Sequence, residues 1–474
     1  MSNGRIYLWT PPTDGSFGGR VTVSIAPLPR LDAQEDGKPR LRGRYVHVRN
    51  GGAVNELDQA TNSVRSASIG DAEPDEQGDF LFEPGRGGGR MDKIVLAEPD
   101  FRWRYIQASH FGEVNTYFHL DRIAAYVDAL LHELGAQSLP YITAVVNAHH
   151  AATEWDGMRD GVWRSERWLP FQGGHYRLPS RRYDIAEHEP LSPNGEIHLG
   201  PGWRLVEHGA LVEAAGGPYR ANASHNAGIL YHEYGHHITR YTADFLSNAL
   251  RRPERQNNRK TALDEGTCDY WAATMLDTPH IWAWHRRHDA EEVHPRSLIS
   301  SRTMTEYDSA RGADPHTNGT IWGAALWDLR TQVVAHEPDG IRRIDLLVLK
   351  SLLLLGQLNY EQEGALKKVH RTRESFALEL KALLRADDLL YASQYRNLIL
   401  TTFARRGIQP AQTPGVDVDT PCRVAPLEGA RGGYSRIATT GPLKGGDPTS
   451  TEVGLSAKCP RVARRKGGDP TRLE

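Results

Sequence analysis

The run Gly228-Ile-Leu-Tyr-His-Glu-Tyr-Gly-His-His-Ile-Thr-Arg240 carries the pattern His-Glu-x-x-His at 232–236, and no other stretch constrains the fold as tightly. On an α-helix, residues four apart sit about 40° apart around the axis, so His232 and His236 aim two imidazoles at one point. That arrangement suits a tetrahedral ion such as Zn²⁺. Glu233 comes to lie beside the ion, where its carboxylate can hold and deprotonate a water. Leu230, Tyr234, Ile238, Tyr241 and Phe245 recur every three or four residues through the same segment. They predict a helix that packs on one face and presents its ligands on the other.

The chain has 21 histidines among 474 residues. At that frequency the motif alone would arise by chance in roughly one such chain in twenty, so its surroundings have to decide. A catalytic zinc usually takes three protein ligands and leaves a fourth position open. A continuation to His-Glu-x-x-His-x-x-Gly-x-x-His is excluded, because Thr239 and Thr242 stand at the Gly and His positions. The other solution is an acid on a following helix. Leu263-Asp-Glu-Gly-Thr-Cys-Asp-Tyr-Trp-Ala-Ala-Thr-Met275 offers it, with Glu265 and Asp269 on one face. Thr261, with Asp264 three residues on, reads as the cap of this helix, and Asp277-Thr-Pro279 as its end. In that setting Glu265 is the third ligand, while Asp269 accepts a proton from the back of a ligating imidazole and so fixes its orientation. Acids also sit in first turns simply because the helix dipole favours them. Beside the 232–236 motif, ligation is the better reading.

A third segment, Ala313-Asp-Pro-His-Thr-Asn-Gly-Thr-Ile-Trp-Gly-Ala-Ala-Leu-Trp-Asp-Leu-Arg330, reads as a turn running into a helix whose Ile321, Trp322, Ala325, Leu326 and Leu329 are buried. His316 stands just before that helix. An imidazole there can donate to the oxyanion of a tetrahedral intermediate, although spacing alone does not single it out among the histidines.

HEYGHHI at 232–238, EGTCD at 265–269, HTNGTIWGAALWDL at 316–329 and Phe403-Ala-Arg-Arg-Gly-Ile408 occur in the order seen in fungalysin-like metallopeptidases, relatives of thermolysin among the gluzincins. The resemblance spans roughly residues 110–410. It implies His232, His236 and Glu265 as zinc ligands, Glu233 as general base, Asp269 behind a ligand, and His316 as oxyanion donor. Val114-Asn-Thr-Tyr-Phe-His-Leu-Asp-Arg-Ile-Ala-Ala-Tyr126 is similar to the helix that opens the catalytic domain of such enzymes. His237 stands where fungalysins often have Gly, and Cys268 where Ser is common; neither is expected to touch a ligand position. Tyr307 is the nearest candidate for the tyrosine that assists the histidine in thermolysin-like sites, and no arginine is singled out to hold the substrate carbonyl.

Lys plus Arg total 57 against 59 for Asp plus Glu, so no global charge points to nucleic acid or an anionic membrane. Leu346-Leu-Val-Leu-Lys-Ser-Leu-Leu-Leu-Leu355 is too short for a membrane span and reads as a core helix. The amino terminus lacks a charged start followed by an apolar block, so no signal peptide is read there. The cytoplasm is then the default compartment, although the resembling families are usually exported behind a propeptide. Three widely spaced cysteines, Cys268, Cys422 and Cys459, give no disulfide framework, and Cys268 reads as a small packed residue. Calcium is left open as a second cation, with scattered acids giving it no specific support. Oligomeric state is not legible.

The expected fold class is α+β: a zincin-type catalytic domain at 101–411 with a mixed-sheet lobe and a mainly helical lobe. A β-rich region at 1–100 precedes it, and a low-complexity, disordered tail at 412–474 follows, where Lys-Gly-Gly-Asp-Pro-Thr appears twice. Strands are expected at 20–25, 43–48, 79–82, 141–146 and 195–199. Helices are expected at 115–135, 262–276, 319–335, 341–356, 374–386 and 391–405. The chemistry expected is zinc-dependent hydrolysis of peptide or protein substrates. An endopeptidase is preferred to a gluzincin aminopeptidase, because no Gly-x-Met-Glu-Asn string precedes His232. It is also preferred to a silent zinc-containing binding protein, because a structural site has no use for Glu233.

Overall fold

Val46-His-Val-Arg-Asn50 alternates, burying Val46 and Val48 while His47 and Arg49 stay half-exposed, as a strand covered on one face should. The computed structural model describes residues 2–10, 20–33, 37, 39–58, 63–84, 94–95, 101–151, 168–170, 173–177, 192, 194–200, 204–205, 211–214, 222–243, 262–281, 296–310, 313–361 and 374–410. In it, β5 (Val46–Asn50) belongs to a six-stranded mixed sheet ordered β12 (Gly174–Arg177), β13 (Glu196–Leu199), β9 (Ile142–Val146), β5, β4 (Pro39–Gly43), β3 (Leu31–Ala33). The middle strands β13, β9 and β5 run parallel, and the outer pairings are antiparallel. Two antiparallel pairs, β1 (Asn3–Thr10) with β2 (Arg20–Pro27) and β6 (Ala53–Asp58) with β7 (Ser63–Ser68), accompany it, as do the pair β10 (His149–Ala151) with β11 (Trp168–Pro170) and three short strands ordered β14 (Arg204–Leu205), β15 (Leu211–Ala214), β8 (Ile94–Val95).

Parallel neighbours need a crossover, and the 33-residue helix α1 (Phe101–Glu133) lies in the connection between β5 and β9. Val114, Leu120, Ile123, Val127 and Leu130 on α1 are fully buried. Its polar side chains tie the fold together. Asn115 accepts from the Tyr7 amide and donates to the Ser224 carbonyl, while His119 joins the Tyr7 carbonyl to the Tyr231 hydroxyl.

From residue 227 onward the described elements are helical: α2 (Ala227–Tyr241), α3 (Ala262–Leu276), α4 (Pro315–Val334), α5 (Gly340–Glu361), α6 (Glu374–Tyr391) and α7 (Arg396–Arg405). Trp322 stacks on Phe376 at 5.6 Å and meets Phe403 at 5.0 Å. A buried carboxylate, Asp345, accepts from the hydroxyls of Tyr126, Tyr270 and Thr274, joining α1, α3 and α5. No described helix is long and apolar enough to cross a membrane.

The architecture is α+β, as expected, with differences at element ends. The strand expected at 43–48 lies at 46–50, and at 79–82 only a bridge from Phe80 to Gly4 forms. α4 starts at Pro315 rather than 319, because Asp314 caps it by accepting from the His316 and Thr317 amides. α7 starts at 396 rather than 391, because Ala392 and Ser393 adopt positive φ of 49° and 63°. α3 ends as expected: Asp277 takes φ 51° and the Thr278 amide returns to the Ala273 carbonyl. Residues 1–419 form one compact unit, since β3, β4 and β5 share a sheet with strands that follow α1. The expected tail at 412–474 lies outside the described residues.

Candidate metal centre

Asn226 caps α2, its side chain accepting from the Gly228 and Ile229 amides. Residues 227–239 are all buried, so the expected division into a packed face and an open ligand face does not hold. The helix is enclosed from two sides. On the sheet side, the Tyr176 hydroxyl of β12 lies 3.1 Å from His237 Nδ1, whose Nε2 donates to the Pro140 carbonyl. Burial drives the His237 ring down to about 3, which keeps it neutral. On the other side α3 approaches so closely that a side chain at Gly235 would put its Cβ 2.8 Å from the Cys268 Cα.

The two helices pass each other in opposite senses. His232 faces Asp269, with Nδ1 2.7 Å from Oδ1, and His236 faces Asp264, with Nδ1 3.0 Å from Oδ2. Each imidazole therefore carries its proton on Nδ1 and turns Nε2 inward. Those two nitrogens converge on Glu265, with His232 Nε2 at 3.2 Å and His236 Nε2 at 3.8 Å from Oε2. Atoms that share a tetrahedral zinc at ~2.0–2.1 Å stand about 3.4 Å apart, so these separations fit ligation. His232 Nε2 is buried and makes no hydrogen bond, which an atom reserved for a cation explains. Burial and the Arg296 charge push the His232 pKa down, but the facing carboxylates of Asp269 and Glu265 outweigh them and raise it to about 9. Asp269 is held below the usual carboxylate range: burial opposes this, and Arg296 and His232 overcome it.

His316 joins the cluster from α4. Its Nδ1 lies 2.7 Å from Glu265 Oε2 and 2.7 Å from Arg296 Nη2. Nδ1 donates to the carboxylate when protonated and accepts from the arginine when bare, so the contacts belong to alternative protonation states. His232, Glu265 and His316 offer ligand atoms all within 4.8 Å of one another, yet 2.7 Å is a hydrogen-bond distance rather than a spacing of two ligands. Glu265 is fully buried, whereas the His316 side chain is 40% exposed, so the cluster opens to solvent on the His316 side. Glu233 is buried against β12, where a Cβ on Gly174 would come within 3.0 Å of its Oε1.

The family model for fungalysin metallopeptidase (M36) matches residues 5–411, most of the chain. The chain belongs to the fungalysin family. Fungalysins are zinc metallopeptidases, so the N, N, O donor set suits the family's metal. No curated protein matches the chain.

This fungalysin also places at the cluster three residues to which the sequence assigned no such part. Arg296 spans it, Nε 2.8 Å from Asp269 Oδ2 and Nη2 3.7 Å from Glu265 Oε2. It stands in a non-periodic segment, one of 57 basic residues, and no local signal marks it. Asp264, read as the partner of a cap at Thr261, instead accepts from Thr239 and faces His236; Thr261 lies outside the described residues. Cys268 is fully buried, as a small packed residue would be, but its Sγ lies 3.2 Å from His236 Nδ1, so it does touch an expected ligand. Tyr307 packs edge-on against Phe376 at 5.8 Å.

Proposed function

We propose that this fungalysin cleaves internal peptide bonds, with His232, His236 and Glu265 holding one zinc ion and Glu233 serving as general base. The observation that carries the reading is the convergence of two buried imidazole nitrogens on one carboxylate oxygen, each ring held from behind by its own acid. Zinc, when bound, supplies a Lewis acid that lowers the pKa of a water and polarises the scissile carbonyl.

The chain's own groups do the rest. Glu233 takes the proton of the attacking water and passes it to the leaving amine. His316 and Arg296 bring N–H donors and positive charge to the solvent-facing side of Glu265, where the carbonyl oxygen gains charge. An oriented donor there is worth roughly 3 kcal/mol. β12 is the end strand of the six-stranded sheet, and its Gly174 lies against Glu233.

Mass-spectrometric mapping of a digested peptide library, with and without a chelator, tests this reading. Internal cuts that the chelator abolishes are expected. Release of single amino-terminal residues would make the protein an aminopeptidase, and intact peptides from the zinc-loaded protein would leave only a binding role.

A further inference from the structure

α3 presents two rows of side chains to α2. Glu265 and Asp269 form one row, and Asp264 and Cys268, about 100° around the axis, form the other. The first row serves His232 and the ion. The second meets His236 from behind.

We propose that Asp264 is the residue that positions His236 for the metal, an inference that rests on the zinc reading above. His236, Asp264, Thr239 and Cys268 are all fully buried. An ionised carboxylate in such a place costs several kcal/mol unless its lone pairs are used. Here both oxygens are engaged: Oδ1 accepts from the Thr239 hydroxyl at 2.6 Å, and Oδ2 lies 3.0 Å from His236 Nδ1. Thr239 stands one turn beyond His236 on α2, its hydroxyl oxygen 3.2 Å from the His236 carbonyl, so the bond to Thr239 ties the acid to the helix that carries the ring it orients.

Two consequences follow. The proton stays on Nδ1, which turns the Nε2 lone pair toward Glu265. A full negative charge behind the ring also makes His236 a stronger ligand than a neutral acceptor would. With Asp269 doing the same for His232, both imidazoles are backed by carboxylates, and Arg296 offsets part of that charge at Asp269. The Nδ1 proton also excludes a second ion among His236, Asp264 and Cys268, although their atoms lie close enough to hold one.

Zinc affinity of the full-length protein, measured by competition with a chromogenic chelator, tests the inference. Asp264→Ala is expected to bind zinc 10- to 100-fold more weakly than wild type. Asp264→Asn, which keeps an acceptor and loses the charge, is expected to fall between them and serves if the alanine variant does not fold. A purely structural Asp264 would lower the melting temperature of the zinc-free protein and leave the affinity of both variants at the wild-type value, which overturns the inference. Cobalt substitution adds an independent arm: one equivalent without a thiolate charge-transfer band is expected, and a second equivalent with such a band refutes a protonated Nδ1. A wild-type protein that takes up no zinc would remove the underlying reading rather than this refinement alone.

Discussion

Gly266 of α3 and Gly319 of α4 meet backbone to backbone: a Cβ on Gly319 would lie 2.8 Å from the Gly266 amide nitrogen. A Cβ on Gly323, one turn further on, would lie the same 2.8 Å from the Gly266 carbonyl oxygen. This seam brings His316, one turn before Gly319, against Glu265, the neighbour of Gly266 in sequence.

Gly319→Ala should therefore damage the site as well as the packing. A methyl group there meets rigid backbone, not a side chain that can swing away, and overpacking of that kind costs about 1–3 kcal/mol. Thermal melts should show that loss. At a temperature where the variant stays folded, kcat/KM should fall by more than tenfold, because α4 and His316 move outward. Unchanged activity in the folded variant would separate His316 from the chemistry.

Gly174→Ala probes the opposite wall. Its new Cβ would lie 2.8 Å from Glu233 Cγ and 2.7 Å from Ile229 Cγ2, both side-chain atoms that can shift. Folding and zinc content should survive, while kcat drops as the base is displaced. Metal analysis beside steady-state kinetics makes the comparison; loss of zinc in step with activity would contradict it.

Asp345 holds three helices through one carboxylate. Asp345→Ala leaves the buried Tyr270 and Thr274 hydroxyls and the half-buried Tyr126 hydroxyl without their acceptor. At roughly 1–3 kcal/mol for each unsatisfied group, the loss should be at least about 3 kcal/mol. Chemical denaturation should show it, with Asp345→Asn much milder.

Glu379 makes stability depend on pH. Burial raises its pKa from 4.5 to about 8, against a weaker opposing bond from the Ser351 hydroxyl. Its Oε2 is buried without a hydrogen-bond partner, as suits a protonated acid. Below 4.5 both folded and unfolded chains hold the proton, and the contribution is fully present. Above it the unfolded chain ionises first, so folding loses up to about 1.4 kcal/mol per pH unit until the folded pKa is passed. Glu379→Gln keeps the Ser351 bond and cannot ionise. Relative to wild type, its melting temperature should climb steadily from about pH 5 to about pH 8; parallel curves would show that Glu379 is not the source.

His232, His236, Glu265 and Asp269 were legible because each lies in a short pattern on a helix, and the chain brings these four side chains together; Glu233 came with the same motif, whereas His316, which spacing alone does not single out, was reached through the family resemblance and lies against Glu265. The bounds of α3 were legible for the same reason. Arg296 and Asp264 were not. Arg296 acts where a loop returns to the site, and Asp264 wore the disguise of a capping acid until α2 was laid across it. The all-round burial of α2 was equally hidden, since an apolar stripe marks one buried face and says nothing about polar residues buried opposite it.

The measurement that bears most directly on the account is zinc content and turnover of Glu233→Gln beside wild type. One zinc per chain is predicted in both proteins, with turnover of a peptide substrate lower by about 10³-fold in the variant. Turnover near wild type in a zinc-loaded Glu233→Gln protein would contradict the assignment of the base, and a wild type that hydrolyses peptides without any zinc would contradict the site itself.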